Sequence, residues 1–198
     1  MNNLQNERHP LPPFLPNGAK LLMLGSFPPP KKRWSMEFYY PNLNNDMWRI
    51  MGLIFYGDKN HFVETAAKTF HKAQIVDFLT ERGIALYDTA VVIRRLKDNA
   101  ADNFLEVVEP ADICGLLRQI PDCRAVAVTG QKAMDTLRDQ LPVAEPKVSG
   151  SAVFVFENHP MRLYRMPSSS RAYPLKLEQK AVVYEKMMRE IGIKGVLK

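Results

Sequence analysis

Polar side chains are concentrated in one stretch that directly precedes a predicted helix. Residues 39–48 read YYPNLNNDMW, with three asparagines between a tyrosine pair and the carboxylate of Asp46. Amide groups orient water or read the edges of bases, so this stretch is a candidate for water-dependent chemistry. A helix cap surrounded by packing aromatics explains the same residues, and both interpretations stay open.

Two further segments carry groups suited to flat or anionic ligands. Gly25-Ser26-Phe27-Pro28 ends an apolar run, and a phenyl ring at such a place either stacks on a flat ligand or caps the core. Residues 166–174 hold three serines and Arg171 between two prolines, a donor-rich loop that suits phosphate oxygens or forms a solvated turn. The basic patch of Lys31, Lys32 and Arg33 likewise either binds phosphates or is simply an exposed charged surface.

The predicted elements bring these segments towards one edge of a sheet. Apolar runs predict strands and apolar residues at helical spacing predict helices, in alternation. We expect strands over 20–27, 84–93 (with a break near Asp88), 124–128, 153–156 and 163–166, and helices over 47–55, 71–82, 111–120, 131–141 and 176–192. This alternation predicts a single three-layer α/β domain whose central, mostly parallel β-sheet is flanked by helices. Functional groups gather beyond the carboxyl ends of such strands, where Asp88 and Thr129 also lie.

Composition narrows the class of protein. The chain has 198 residues, 46% hydrophobic and 24% charged, which is ordinary for one globular domain. We expect a proline-rich arm over 1–19 and one domain over 20–198.

The net charge of +6 favours polyanionic partners. We predict a cytoplasmic protein without a membrane segment, because neither a signal peptide nor a long apolar run occurs. The two cysteines and four histidines lack the spacing of a metal site, so no metal is expected.

Taken together, GSFP, YYPNLNNDMW and PSSSRA resemble the uracil-DNA glycosylase superfamily, and most closely its hypoxanthine-DNA glycosylase branch. That branch carries GSFP, then a pattern like YYxHPRNxFW, then a loop like PSTSPA. The resemblance implies an α/β domain that flips a deaminated base out of DNA and hydrolyses its N-glycosidic bond without a cofactor. It also implies that the base is uracil, hypoxanthine or xanthine, that the product is an abasic site and that the protein acts as a monomer.

The resemblance also implies roles for individual residues. Asn45 matches the catalytic asparagine, and Asp46 beside it is an alternative group for the water. The residues implied for base binding are Gly25, Ser26, Phe27, Tyr39, Tyr40 and Asp88. Those implied for DNA binding are Lys31, Lys32, Arg33, Pro167, Ser168, Ser169, Ser170 and Arg171.

The chain departs from the branch pattern at several positions. Asn42-Leu43-Asn44 replaces the HPR triplet, Met47 replaces a phenylalanine, and Arg171 stands where a proline is usual. These differences leave the target base open. They also motivate an alternative, a DNA-damage-binding protein of the same fold with weak or no catalysis. An unrelated α/β enzyme acting on nucleotides or phosphate esters is a further alternative.

Overall fold

The fold is built around a central sheet of five strands, seen in a computed structural model that describes residues 5–96 and 104–196. Numbered along the chain, the strands of this sheet lie in the order β5-β2-β8-β10-β9. The strands of the chain are β1 (Asn6–Arg8), β2 (Leu21–Gly25), β3 (Val63–Glu64), β4 (Thr69–Phe70), β5 (Ile84–Asp88), β6 (Ala90–Arg95), β7 (Leu105–Pro110), β8 (Ala125–Thr129), β9 (Gly150–Phe156) and β10 (His159–Met166). The helices are α1 (Met47–Tyr56), α2 (Lys72–Arg82), α3 (Ile113–Gln119), α4 (Gln131–Leu137) and α5 (Leu177–Glu190).

The pairing of the strands confirms a mostly parallel sheet. β5, β2, β8 and β10 run parallel to one another, and only β9 is antiparallel to its neighbour. Every residue of β2, β5 and β8 is buried, so both faces of these strands are covered. That burial explains their continuous apolar sequences, because a strand covered on both faces needs no polar alternation.

The predicted strand over 84–93 does break beside Asp88. Its first part is β5 of the central sheet, whereas its second part, β6, belongs to a separate sheet of order β1-β6-β7. Sequence patterns predicted neither β1, β7 nor the β3–β4 hairpin. These strands are short or largely exposed, so they lack the apolar runs on which the prediction depends.

The described part of the N-terminal arm lies against the domain. β1 pairs antiparallel with β6, and the amide of His9 donates to the carbonyl of Val91 over 2.7 Å. Further along, Phe14 forms a bridge with Leu86 of β5, an edge strand of the central sheet. The arm therefore crosses from the small sheet to the edge of the central one.

Helix α1 confirms the predicted apolar stripe, since Met47, Ile50, Met51, Ile54 and Phe55 are all buried. It packs against α5, whose predicted face holds the buried Ala181, Tyr184 and Met188. None of the described helices is long and apolar enough to cross a membrane.

A buried ion pair joins these two helices. Lys180 on α5 is fully buried, and its Nζ lies 3.1 Å from Oδ2 of Asp46, the residue before α1. The same Nζ donates to the carbonyl of Ser170 over 2.8 Å. One ammonium group thus binds both the start of α1 and the loop of residues 166–174, here named the serine loop, to α5.

We predict that Asp46→Asn destabilises the protein by about 3–5 kcal/mol, because it leaves the Lys180 charge buried without its carboxylate. Urea unfolding at neutral pH measures the change. Lys180→Met combined with Asp46→Asn should recover part of the loss, since no unpaired charge remains. Lys186→Met, at an exposed position of the same helix, is the control and should unfold like the wild type. An unchanged unfolding midpoint for Asp46→Asn would contradict this role of the pair.

Candidate functional site

A cavity of about 490 Å³ opens at the carboxyl-terminal edge of the central sheet. Its volume lies in the range of small-molecule sites. Its walls come from four places: the end of β2, the aromatic and asparagine-rich loop before α1, the ends of β5 and β8, and the serine loop after β10. The lining residues are Gly25, Ser26, Phe27, Pro28, Pro29, Arg33, Tyr39, Tyr40, Pro41, Asn42, Asn44, Asn45, Asp88, Thr129, Ser168, Ser169, Ser170, Arg171 and Ala172.

Strand direction explains why these segments meet. Gly25, Asp88, Thr129 and Met166 end four parallel strands, so the loops after these strands emerge at one edge of the sheet. The loop before α1 is then fixed to the serine loop by backbone pairing. Asn45 and Ser170 form an antiparallel bridge, flanked by hydrogen bonds from the next amides on each side.

Asn45 lies in the cavity wall with its amide plane fixed. Its Oδ1 accepts a hydrogen bond from the backbone N–H of Met47 over 2.9 Å, at the first turn of α1. The residue that caps α1 is Asp46, whose side chain makes no capping hydrogen bond, so Asn45 lies one position before the cap. Its bond to Met47 uses the amide oxygen, and Nδ2 is a donor group of the same amide.

Asp46 does not line the cavity, in contrast to the other residue predicted for catalysis. Its carboxylate accepts from Lys180 and, over 3.2 Å, from Nε of Arg171. Successive residues at this turn send their side chains in different directions. The carboxylate is thereby turned into the protein to neutralise a buried cation, and the adjacent amide faces the cavity.

Asp88 is a buried carboxylate in the cavity wall. Its Oδ2 lies 2.9 Å from Nε2 of His9, a residue of the N-terminal arm. A methyl group at Gly25 would overlap Oδ1 of Asp88, so only glycine there lets the carboxylate take this position. Sequence analysis selected Asp88 but missed His9, because no local pattern links two residues 79 positions apart.

The predicted aromatic residues surround this carboxylate. Phe27 is buried and packs edge-on against the His9 ring at 5.2 Å. Burial first, and then the charge of Asp88, raise the pKa values of Tyr39 and Tyr40, so both remain neutral hydroxyl groups. The Tyr39 hydroxyl donates to the carbonyl of Pro12 in the arm.

Tyr40 is held in an uncommon conformation. Its φ of 50° is in the left-handed region, which costs a residue with a large side chain about 1–3 kcal/mol. Its buried hydroxyl finds no hydrogen-bond partner of acceptable geometry among the described residues. The side chain of Thr129 is near enough to offset part of the rise in the pKa of this hydroxyl.

The serine loop presents hydroxyl groups to the cavity from a folded turn. The oxygens of Ser168 and Ser170 accept from the backbone amides of Ser170 and Ala172, which orients both side chains. Ser169 is buried and also lines the cavity. Pro167 lies outside the lining, and its carbonyl accepts from the hydroxyl of Tyr184.

The predicted basic residues take three different positions. Arg33 is exposed and lines the cavity. Arg171 also lines it, but its guanidinium is bound to Asp46, Asn44 and the carbonyl of Leu43. Lys31 and Lys32 are exposed outside the lining, and Lys31 pairs with Glu37.

The described His, Cys, Asp and Glu side chains do not form a group that could bind a metal ion. Within residues 5–96 and 104–196, no three His, Cys, Asp or Glu side chains come together as a metal site would require.

Comparison with known proteins supports the fold. No protein-family model matches the chain, and no curated protein matches its sequence. The chain is similar to the solution NMR structure of a protein from Methanosarcina acetivorans that is provisionally described as a uracil DNA glycosylase. The two share 22% sequence identity with a TM-score of 0.62, over 94% of this chain and 99% of that one. The chain therefore has the α/β fold of that protein.

Proposed function

We propose that the protein is a monofunctional DNA glycosylase that removes a deaminated base. The observation that carries the proposal is the convergence of Asn45, Asp88 and the serine loop on one cavity. Sequence resemblance relates these same segments to the uracil-DNA glycosylase superfamily, and the structural neighbour carries a matching description. The assignment to the hypoxanthine branch remains part of the proposal.

The cavity suits a flipped nucleotide. A base inside a duplex is out of reach of any enzyme, so the nucleotide must rotate out at a cost of a few kcal/mol. In the proposed complex the base enters between Phe27 and the tyrosine pair. The serine loop and the exposed Arg33 hold the neighbouring phosphates, and Arg171 adds charge beside them.

The reaction is hydrolysis of the bond between the sugar C1′ and the base nitrogen. As that bond breaks, its electron pair leaves with the base and positive charge develops on the sugar ring. Water then bonds to C1′, and the proton that it loses balances the charge gained by the base. The products are an abasic sugar and the free base.

We assign the positioning of water to Asn45 rather than to Asp46. The Asn45 amide borders the cavity, whereas Asp46 is bound to Lys180 and Arg171 outside it. An amide cannot take a proton from water but can hold its oxygen in place. Because the sugar cation is strongly electrophilic, an oriented water is sufficient and a strong base is not needed.

We assign base recognition to Asp88 and Tyr40. An ionised carboxylate only accepts hydrogen bonds, so Asp88 selects a ring N–H. The hydroxyl of Tyr40 can donate to a carbonyl oxygen beside that N–H. Uracil, hypoxanthine and xanthine all carry an N–H next to a carbonyl on the ring, as do guanine and thymine, whereas the corresponding ring nitrogens of cytosine and adenine have no hydrogen. This contact therefore separates a deaminated base from cytosine and adenine.

We predict that Asn45→Ala lowers the rate of excision about 100- to 1,000-fold while lesion-containing DNA still binds. Purified protein is incubated with labelled oligonucleotides that carry one uracil, hypoxanthine or xanthine, and alkali then cleaves at abasic sites. The exposed Asn60→Ala serves as the matched control and should retain the wild-type rate.

The same assay separates the proposed function from its alternatives. If the wild type binds lesion DNA but releases no base, the protein is a damage-binding module. If it neither binds DNA nor releases a base, the DNA-repair proposal is overturned. Near-normal activity of Asn45→Ala would show that another group positions the water, and Asp88 is then the next candidate.

We further predict that Arg33→Gln weakens binding to duplex DNA of any sequence. The slope of log K against log salt concentration should become shallower by about 0.9 for each phosphate that the variant no longer neutralises. Arg118→Gln removes the same charge from an exposed site bordered by His159 and Glu157, away from the cavity, and is the control. Equal slopes for Arg33→Gln and the wild type would remove Arg33 from the DNA-binding surface.

A further inference from the structure

His9 is the most deeply buried polar residue in the described part of the N-terminal arm, residues 5–19. Only 1% of its side chain is exposed. Its ring lies 5.2 Å from that of Phe27 and 4.9 Å from that of Tyr87, which belong to two different strand ends. A residue from outside the central sheet thus occupies the wall behind the cavity.

The ring nitrogens of His9 have different partners. Nε2 faces the carboxylate of Asp88 at 2.9 Å and must donate to it, because an ionised carboxylate only accepts. Nδ1 lies 2.8 Å from the carbonyl oxygen and 3.2 Å from the amide nitrogen of Leu11. A neutral ring accepts from this amide, and a protonated ring donates to this carbonyl.

Leu11 therefore supplies a partner for Nδ1 in either charge state of the ring. In both states Nε2 keeps its hydrogen and points it at Asp88. The aromatic neighbours prevent the ring from turning away. Oδ1 of Asp88 occupies the space that a side chain at Gly25 would fill, while Oδ2 faces His9.

We propose that His9 is a positioning residue: the N-terminal arm supplies it to hold Asp88 so that Oδ1 meets the N–H of a flipped base. This inference rests on the proposed function. It makes the arm part of the specificity of the site, because the carboxylate is aimed by a residue outside the sheet. Without that hydrogen bond Asp88 rotates and no longer meets the base.

Four variants and a control test this role. His9→Phe keeps the ring among its aromatic neighbours but removes the donor, whereas His9→Gln keeps a neutral donor. Asp88→Asn and the combination of Asp88→Asn with His9→Phe complete a double-mutant cycle. His159→Gln, at an exposed position, is the control. Single-turnover excision, affinity for lesion DNA and urea unfolding are measured for each.

We expect His9→Phe to lower excision about 10- to 100-fold, the effect of losing a hydrogen bond to a charged group. Affinity for DNA should change less than about twofold, because the phosphate contacts are elsewhere. His9→Gln should recover part of the rate. In the Asp88→Asn background, His9→Phe should have a smaller effect, since the charged acceptor is already replaced by a neutral amide and the remaining hydrogen bond is weaker.

Independent effects of His9→Phe and Asp88→Asn would overturn the inference. So would equal losses of rate, DNA affinity and unfolding midpoint in His9→Phe and His9→Gln, since these indicate a purely structural role. Both results leave the proposed function intact, because the wild type still excises a base.

A spectroscopic measurement tests His9 even if the wild type excises nothing. Nitrogen-15 NMR should detect a slowly exchanging Nε2 proton, identified by its loss in His9→Gln. Asp88→Asn should shift this signal, and so should addition of lesion-containing oligonucleotide, whereas His159→Gln should not change it. The absence of these shifts overturns the role of His9, and failure to excise any base overturns the proposed function.

Discussion

The site depends on one buried ion pair, between Lys180 and Asp46. The ammonium group is fully buried and also binds the carbonyl of Ser170, so it joins α5, the start of α1 and the serine loop. A buried charge is costly unless it is paired and hydrogen-bonded. Other positions of these two loops would leave the Lys180 charge without partners and are therefore disfavoured. Once the two loops are held together, Asn45 and the serines face one cavity.

The cavity is formed by the ends of the parallel strands, and the N-terminal arm from outside the central sheet adds a residue behind its wall. The parallel strands place Gly25, Asp88 and Thr129 side by side, as the fold requires. The arm then adds His9 behind Asp88, through a backbone that also pairs with β6. Tyr40, whose backbone is in the left-handed region, lies in the wall of the same cavity, and its hydroxyl has no hydrogen-bond partner of acceptable geometry within residues 5–96 and 104–196.

The fold of this chain is similar to that of a known structure, but a shared fold does not establish a shared reaction. At 22% identity the Methanosarcina acetivorans structure establishes the path of the chain, while function must be argued from the site. The differences from the branch pattern concentrate in the loop before α1, where Asn42-Leu43-Asn44 and Asp46 stand. Asp46 pairs with Lys180, and Asn42 and Asn44 border the cavity.

The sequence by itself determined the α/β fold, most of the central elements and the segments that form the cavity. Apolar runs and helical spacing report burial, and turn residues report strand ends, so both are visible locally. Only the tertiary structure separates Asn45, which lines the cavity, from Asp46, which pairs with Lys180 outside it, because adjacent polar residues look alike until one meets a buried lysine. It alone revealed His9, since its partner Asp88 lies 79 residues away and side-chain pairing over that distance leaves no periodic pattern.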